Sequence, residues 1–227
     1  MKILIKQAKI IDSSSKHNNK ICDILINNNK IEKIAKKIQI DSDTKIYKNE
    51  NLHISQGWFD MHVNFGQPGF EQRETIENGL NAAAKGGFTE VLLMPNTNPS
   101  IDNSSMIDFI KGFSKRNVVK IQVAGNLTVS QEGKNIVEIH DMTNNGCIAF
   151  TDDKKSIQNN ELMKIAMLYI KNSNSLLMNF PNDSKIQKNG VINEGKISTQ
   201  LGLKGIPNIA EEMMLDRDIT LCDYTES

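Results

Sequence analysis

The sequence predicts an α/β fold, a run of parallel strands alternating with helices, preceded by a small all-β portion. Three observations carry this. Up to about residue 51 the chain consists of short β-branched runs with an asparagine turn between two of them. From about residue 53 onward, short apolar runs alternate with longer amphipathic ones in five strand-then-helix units. The 227 residues, 38% hydrophobic and 24% charged, carry enough apolar surface for one large domain, or one domain and a fraction.

Residues 2–11, 21–26 and 30–35 are the β-branched runs, and Asn27, Asn28 and Asn29 between the last two tolerate positive φ, so the opening reads as a β meander. A Lys- and Asp-rich stretch near residues 36–51 closes it. The first apolar run of the second part is Leu52 to Phe65. Ile76, Leu80, Ala83 and Ala84 then recur at helical spacing until Gly86 and Gly87 stop the helix. Phe88 to Met94 reads as a strand and Ile107 to Phe113 as part of a helix. Val119, Ile121 and Val123 alternate as a strand does, and Ile136 to Met142 reads as helix. Cys147 to Phe150 is the next strand, followed by a helix with Leu162, Ile165, Ala166 and Tyr169 on one face. Leu176 to Phe180 is the fifth strand. After a long irregular stretch, Pro207 opens a helix with Ile209, Ala210, Met213 and Met214 on its apolar side.

Consecutive units of this kind imply right-handed crossovers between parallel strands. Pattern alone leaves two architectures, an open doubly wound sheet and a (β/α)8 barrel. Five units complete a small open sheet but leave a barrel unclosed, with exposed edges on both sides.

Lys and Arg number 27 against 27 Asp and Glu, so the net charge is +0 and offers no footprint for phosphate backbones or anionic membranes. Neither nucleic acid nor membrane is an expected partner. No apolar stretch approaches the roughly 18–20 residues of a bilayer span, and Lys6 interrupts the opening run, so a cytoplasmic protein is expected. Cys22, Cys147 and Cys222 lack metal or redox spacing and read as small buried hydrophobes. The excess of Lys over Arg, with abundant Ile and Asn, points to A/T-rich codons rather than to a ligand.

The segment GWFDMHVNFGQPGFEQRETIENGLNAAAKGGFTEVLLMPNTNPSIDN at 57–103 resembles the dihydroorotases, zinc-dependent members of the amidohydrolase superfamily. The family pattern is Asp-x-His-x-His-x-Arg, a Pro-Gly turn, an Ala-rich helix, Gly-Gly-Phe-Thr and Met-Pro-Asn-Thr. The matching residues are Asp60, His62, Pro68 and Gly69, Ala82 to Ala84, Gly86 to Thr89, and Met94 to Thr97. AFTDD at 149–153 and NEGKISTQLGLKGIPNIAEEMMLDRDITL at 193–221 fit as well. The resemblance implies an incomplete (β/α)8 TIM-type barrel of about five units over 52–227, with residues 1–51 beginning a composite β-sandwich. It also implies cyclic amide hydrolysis in pyrimidine biosynthesis, interconverting carbamoyl aspartate and dihydroorotate.

At the metal positions the chain departs from that pattern. Two histidines two residues apart on a strand face the same way and can meet one zinc, but here the second is Asn64, a weakly basic amide. Gly66 stands where the family has the arginine that pairs with the substrate carboxylate. Phe180 stands where the resemblance implies a third histidine. What the resemblance leaves is His62 and Asp152 as metal ligands and Asn96 as a substrate contact; the remaining ligand and the general base of the family would lie beyond Ser227. A catalytic zinc normally takes three protein ligands and an open position, so zinc is expected to bind weakly or not at all, and no residue is assigned a catalytic role.

Ordinary readings stand beside these. Outside the motif, His62 would be a hydrogen-bonded core histidine, Asp152 with Asp153 a solvated turn or cap, and Asn96 turn chemistry. His17, His53 and His140 match no ligand position and read as surface or packing residues. Met167, Met178, Met213 and Met214 read as core filler, and Arg73 and Arg217 as ion-paired.

Three functions follow. The first is a non-catalytic homologue that scaffolds aspartate transcarbamoylase, a reading suggested by fold-directing glycines and turns that are kept while ligands change. The second is a divergent, active dihydroorotase completed by a further C-terminal portion and acting on a small pyrimidine precursor. The third is a truncated remnant whose open strand edges require an oligomeric partner.

Overall fold

The structure is a computed structural model that describes residues 2–40, 42–115 and 117–227, and it divides into two compact units, one up to Gly57 and one from Trp58 to Ser227. In the first unit, strand β1 (Lys2–Ile11) pairs antiparallel with β2 (Ile21–Asn27), which pairs antiparallel with β3 (Lys30–Ala35). The turn residues Asn28 and Asn29 have φ of 48° and 62°, as the asparagine cluster requires. Two strands lie at or beyond the Lys- and Asp-rich stretch: β4 (Thr44–Tyr47) and β5 (His53–Ser55) both run parallel to β1. They pair with opposite ends of it, β4 with Lys2 to Ile5 and β5 with Lys9 to Ile11. Between these ends the β1 register with β2 slips, and the buried carboxylate of Asp23 accepts hydrogen bonds from the Gln7 amide at 3.0 Å and from the Ile38 amide at 3.0 Å. Leu4, Leu25 and Ile38 form one small apolar cluster of this unit, and Ile10, Cys22 and Ile24 another.

The second unit is a curled sheet of five parallel strands in the order β10-β9-β8-β7-β6. Its elements are β6 (Trp58–Val63), α1 (Ile76–Gly86), β7 (Phe88–Leu93), α2 (Ser104–Ser114), β8 (Lys120–Gly125), α3 (Ile139–Asn144), β9 (Cys147–Phe150), α4 (Asn160–Lys171) and β10 (Leu176–Leu177). After them come α5 (Ser184–Gln187), β11 (Ile192–Asn193), α6 (Lys196–Gln200), β12 (Gly205–Ile206) and α7 (Ile209–Thr225). Thr75, Asn103 and Asn159 cap α1, α2 and α4 by accepting amide hydrogen bonds, and α1 ends at Gly87 with φ of 87°. The fold is therefore the half-barrel that the five units and the motifs anticipate.

The two faces of this sheet carry different cores. Val91, Leu93, Ile121 and Val123 pack with Ile76, Leu80, Ile107, Ile110 and Met163, joining sheet to helices. Leu92, Met94, Ala124 and Ala149 form a separate small cluster on the concave side. Burying the larger cluster is what holds the strand ends in register, at about 1.5–3 kcal/mol for each fully enclosed Leu, Ile or Phe side chain.

Several elements differ from the sequence expectation. Helix α3 starts three residues later than predicted, because Ile136 bridges Thr128 and the Val137 amide bonds Leu127 O, which commits both residues to the preceding loop. Strand β10 stops after two residues: Asn179 donates to Asp218 at 2.6 Å and Pro181 follows. The buried face of α4 is Leu162, Met163, Ala166, Met167 and Ile170, which turns Tyr169 outward. On α7 Ala210, Met214 and Thr225 are buried, while Ile209 and Met213 are half exposed; Met213 is thus not core filler. The irregular stretch before it holds the parallel pair β11 and β12. Among the described residues, no helix is long and apolar enough to cross a membrane.

Candidate functional site

Parallel strands joined by right-handed crossovers present their C-terminal ends together, and binding groups in such sheets collect there. Alternation decides which side chains reach the concave side. Leu92 and Met94 lie in the concave cluster, so Asn96 follows in phase; Ala149 lies in it too, so Thr151 and Asp153 follow in phase. On β6, Val63 packs against the sheet–helix core, so His62 and Asn64 take the concave phase, while a register shift between Asp60 and Val63 removes Asp60 from it.

These residues meet. His62 Nε2 lies 2.6 Å from Asp153 Oδ1. The amide nitrogen of Asn96 donates to Asn64 Oδ1 at 2.9 Å and to the second oxygen of Asp153. Gln131 Nε2, on the loop after β8, reaches Asn96 Oδ1 and Pro95 O, each at 3.4 Å. Asp153 is held in place by its own backbone: its amide donates to Thr151 Oγ1 at 2.9 Å and its φ is 48°, a left-handed conformation that Asp tolerates. The His62 side chain is 45% exposed and that of Asp153 only 6%, so the pair is a buried carboxylate under an imidazole open to solvent.

Asp152, expected with His62 as a metal ligand, makes its hydrogen bonds elsewhere. One of its oxygens accepts from the amides of Leu127 at 2.9 Å and Thr128 at 3.0 Å, and the other from the Thr128 hydroxyl. The Thr128 hydroxyl in turn accepts from Gly133 N at 2.9 Å. Asp152 therefore fastens the loop after β8 to the end of β9. Burial raises its carboxyl above the ordinary range, against the opposing pull of the Thr128 hydroxyl and amide. Sequence reasoning chose between two adjacent aspartates without counting phase. Counting in twos from Ala149 selects Asp153, while Asp152 shares the phase of Phe150 in the sheet–helix core.

The substituted positions lie around this network. Asn64 is within it, as described. Gly66 has φ of 84°, and a Cβ built there would stand 2.8 Å from Phe70 O, so the loop after β6 is shaped for glycine. Phe180 is 44% exposed and borders, with Gln131, Asp152 and Lys155, a cavity of about 350 Å³. Asn126, at the end of β8, is fully buried; its amide nitrogen donates to Ser100 Oγ at 2.8 Å and its amide oxygen has no partner among the described residues. Among the described residues Arg73 has no ion pair, contrary to expectation: its guanidinium lies over the Phe70 ring, 4.6 Å from the centroid. Arg217 does pair, with Asp218 at 2.5 Å, and also donates to Ile157 O at 2.6 Å.

The donor set does not fit a catalytic zinc centre. Among the described residues no three His, Cys, Asp or Glu side chains come together, and at the strand ends one imidazole and one carboxylate are joined by two neutral amides. Nor is there a hydroxyl or thiol on the free ring nitrogen of His62, among the described residues, that the His–Asp pair could activate as a nucleophile.

Residues 53–227 match the family described as dihydro-orotase-like. The chain is 40% identical over 226 residues to the dihydroorotase of Thermoanaerobacter sp. (strain X514), covering 99% of this chain and 52% of that protein. It is 36% identical over 227 residues to the dihydroorotase of Syntrophus aciditrophicus (strain SB), covering 99% and 53%. The chain thus spans about half the length of these relatives. Among solved structures it is similar to the L-hydantoinase (dihydropyrimidinase) from Arthrobacter aurescens, with a TM-score of 0.73 at 16% identity over 98% of this chain and 51% of that one. A crystal structure of a dihydroorotase matches with a TM-score of 0.56 at 14% identity, over 99% and 63%. At these identities the structural likeness speaks to the fold alone.

Proposed function

The chain belongs to the dihydroorotase-like family, and from that premise we propose that it is a non-catalytic member, retained for its fold as a partner of aspartate transcarbamoylase in cytoplasmic pyrimidine synthesis. The observation that carries the first half is the closed network His62–Asp153–Asn96–Asn64. Each side chain in it bonds at least one other, at a place where the family's zinc chemistry needs three ligands and an open coordination position. The partner is drawn from the resemblance alone. Purified protein equilibrated with zinc should carry well under one equivalent after desalting and should not cyclise carbamoyl aspartate. With aspartate transcarbamoylase it should co-elute and raise the transcarbamoylase's melting temperature. Stoichiometric zinc with enzymatic turnover overturns the first half, and no association overturns the second.

A second reading is favoured by one observation, the contact between His62 and Asp153 in a chain that spans about half the length of its relatives. In it, the rest of the barrel supplies the missing ligands and the assembled protein is a zinc dihydroorotase. Metal content of the assembled protein separates the two readings, since His62 and Asp153 give at most two of the ligands.

A further inference from the structure

We propose that the lysine-bearing side of the first unit's sheet is an interaction surface for a polyanion, the phosphate backbone of a nucleic acid duplex, held without regard to base sequence. The chain's net charge of +0 is the sum of two unlike parts. Up to Gly57 there are 11 lysines, no arginine and six acidic residues, an excess of five positive charges. From Trp58 onward 16 basic residues stand against 21 acidic ones, an excess of five negative charges. A division of charge that follows a structural boundary marks the basic part as the one that meets anions.

Backbone geometry gathers part of this charge. Strand β3 lies at an end of its sheet, and its register with β2 shifts so that Leu25 pairs with Lys33 and Asn27 with Lys30. Three residues apart, Lys30 and Lys33 would point to opposite faces of a regular strand; the extra residue, Glu32, brings them to one face. Lys36 and Lys37 follow directly after β3. All four lysines are exposed, and among the described residues none has an ion pair. Asp23, placed on the same face by its pairing with Ala35, is buried and taken up by the Gln7 and Ile38 amides.

The kind of anion follows from residue type. Interfaces between proteins favour arginine and aromatic side chains and are poor in lysine. This unit has no arginine and a single aromatic residue, Tyr47, with Lys45 over its ring at 5.0 Å. Bases would therefore meet neither a free stacking ring nor a guanidinium fork. What remains is lysine as a point charge, suited to phosphate oxygens. The Leu4, Leu25 and Ile38 cluster beside these lysines is buried rather than offered for insertion into a lipid surface. Lysine on an edge strand also deters strand addition, but that role does not call for a surplus of charge over the whole unit. The inference is independent of the strand ends of the second unit and of the partner proposed above.

The test is fluorescence anisotropy of the full chain with two labelled duplexes of unrelated sequence, each of about 20 base pairs. We expect both to bind with similar dissociation constants of about 1–100 μM, and log affinity to fall against log salt with a slope of about −3 to −4, as for four phosphates. Lys30→Gln with Lys33→Gln, Lys36→Gln and Lys37→Gln should weaken binding about tenfold or more without changing the circular dichroism, and Lys33→Gln alone should reduce the slope by about one. The same loss of charge at exposed lysines of the second unit, Lys85→Gln, Lys185→Gln, Lys196→Gln and Lys204→Gln, should change affinity by less than about threefold. No binding by the parent chain, or equal losses in the two quadruple variants, overturns the proposal. So does binding to vesicles of phosphatidylserine and phosphatidylcholine in place of the duplex.

Discussion

His62 and Asp153, 91 residues apart in sequence, meet at 2.6 Å because β6 and the end of β9 project residues of the same phase onto the concave side of the sheet. The imidazole is thereby held by one buried carboxylate, in a position from which it could serve a metal only with further donors.

Restoring those donors is a direct check. Asn64→His with Phe180→His places two imidazoles near His62 and Asp153, so the double variant should gain about one equivalent of tightly held zinc, measured by elemental analysis after desalting, where the parent holds little. A double variant as zinc-poor as the parent would place Phe180 too far from His62 for a shared ion.

Asp152→Ala should be more damaging than Asp153→Ala. The first leaves the Leu127 and Thr128 amides and the Thr128 hydroxyl without an acceptor in a buried place, at a cost of about 2–5 kcal/mol in urea denaturation. Asp152→Asn keeps one accepting oxygen and should cost about half as much.

The same carboxyl predicts a pH dependence. Burial raises the folded value of Asp152 above the unfolded one, so the folded state holds the proton more tightly. Its contribution to stability is full below the ordinary carboxylate range and falls as pH rises through the folded value. Asp152→Asn should flatten that part of the stability profile, and an unchanged slope would assign it to another group.

Gly66→Arg should not rebuild an anion site. With φ of 84° and Phe70 O in the way of a Cβ, any side chain there should cost about 1–3 kcal/mol, and Gly66→Ala should cost nearly the same. Gly112→Ala, inside α2 with nothing within 4 Å of the added carbon, should instead stabilise by about 0.5–1 kcal/mol. Chemical denaturation of the three variants compares them directly.

Burial pushes the Cys147 thiol up to about 11, with the Ala149 carbonyl and Gly125 amide bonded to its sulfur. In the native protein at pH 8 it should resist iodoacetamide, with Cys22, also buried, while the half-buried Cys222 reacts first. Mass spectrometry of a timed alkylation reads the order.

Much of this was legible in the sequence because it is periodic. The β meander, the five units and the glycine stop of α1 follow from spacing and turn chemistry, and the Pro-Gly and Pro-Asn-Thr motifs located the strand ends. What escaped depended on contacts between distant segments. Asn179 reaching Asp218 shortens the fifth strand, and Ile136 bridging Thr128 delays α3. The choice between Asp152 and Asp153 was available by counting from Ala149, but only once Ala149 is known to face the concave side. Gln131 had no such signal, since its loop position is set by the Asp152–Thr128 bonds rather than by any local pattern.

The brevity of β10 has a further consequence. A free strand border invites identical chains to add rung upon rung into fibres, and native sheets commonly escape by keeping that border stunted. With only Leu176 and Leu177 in the strand and Pro181 close behind, there is scarcely one rung to copy.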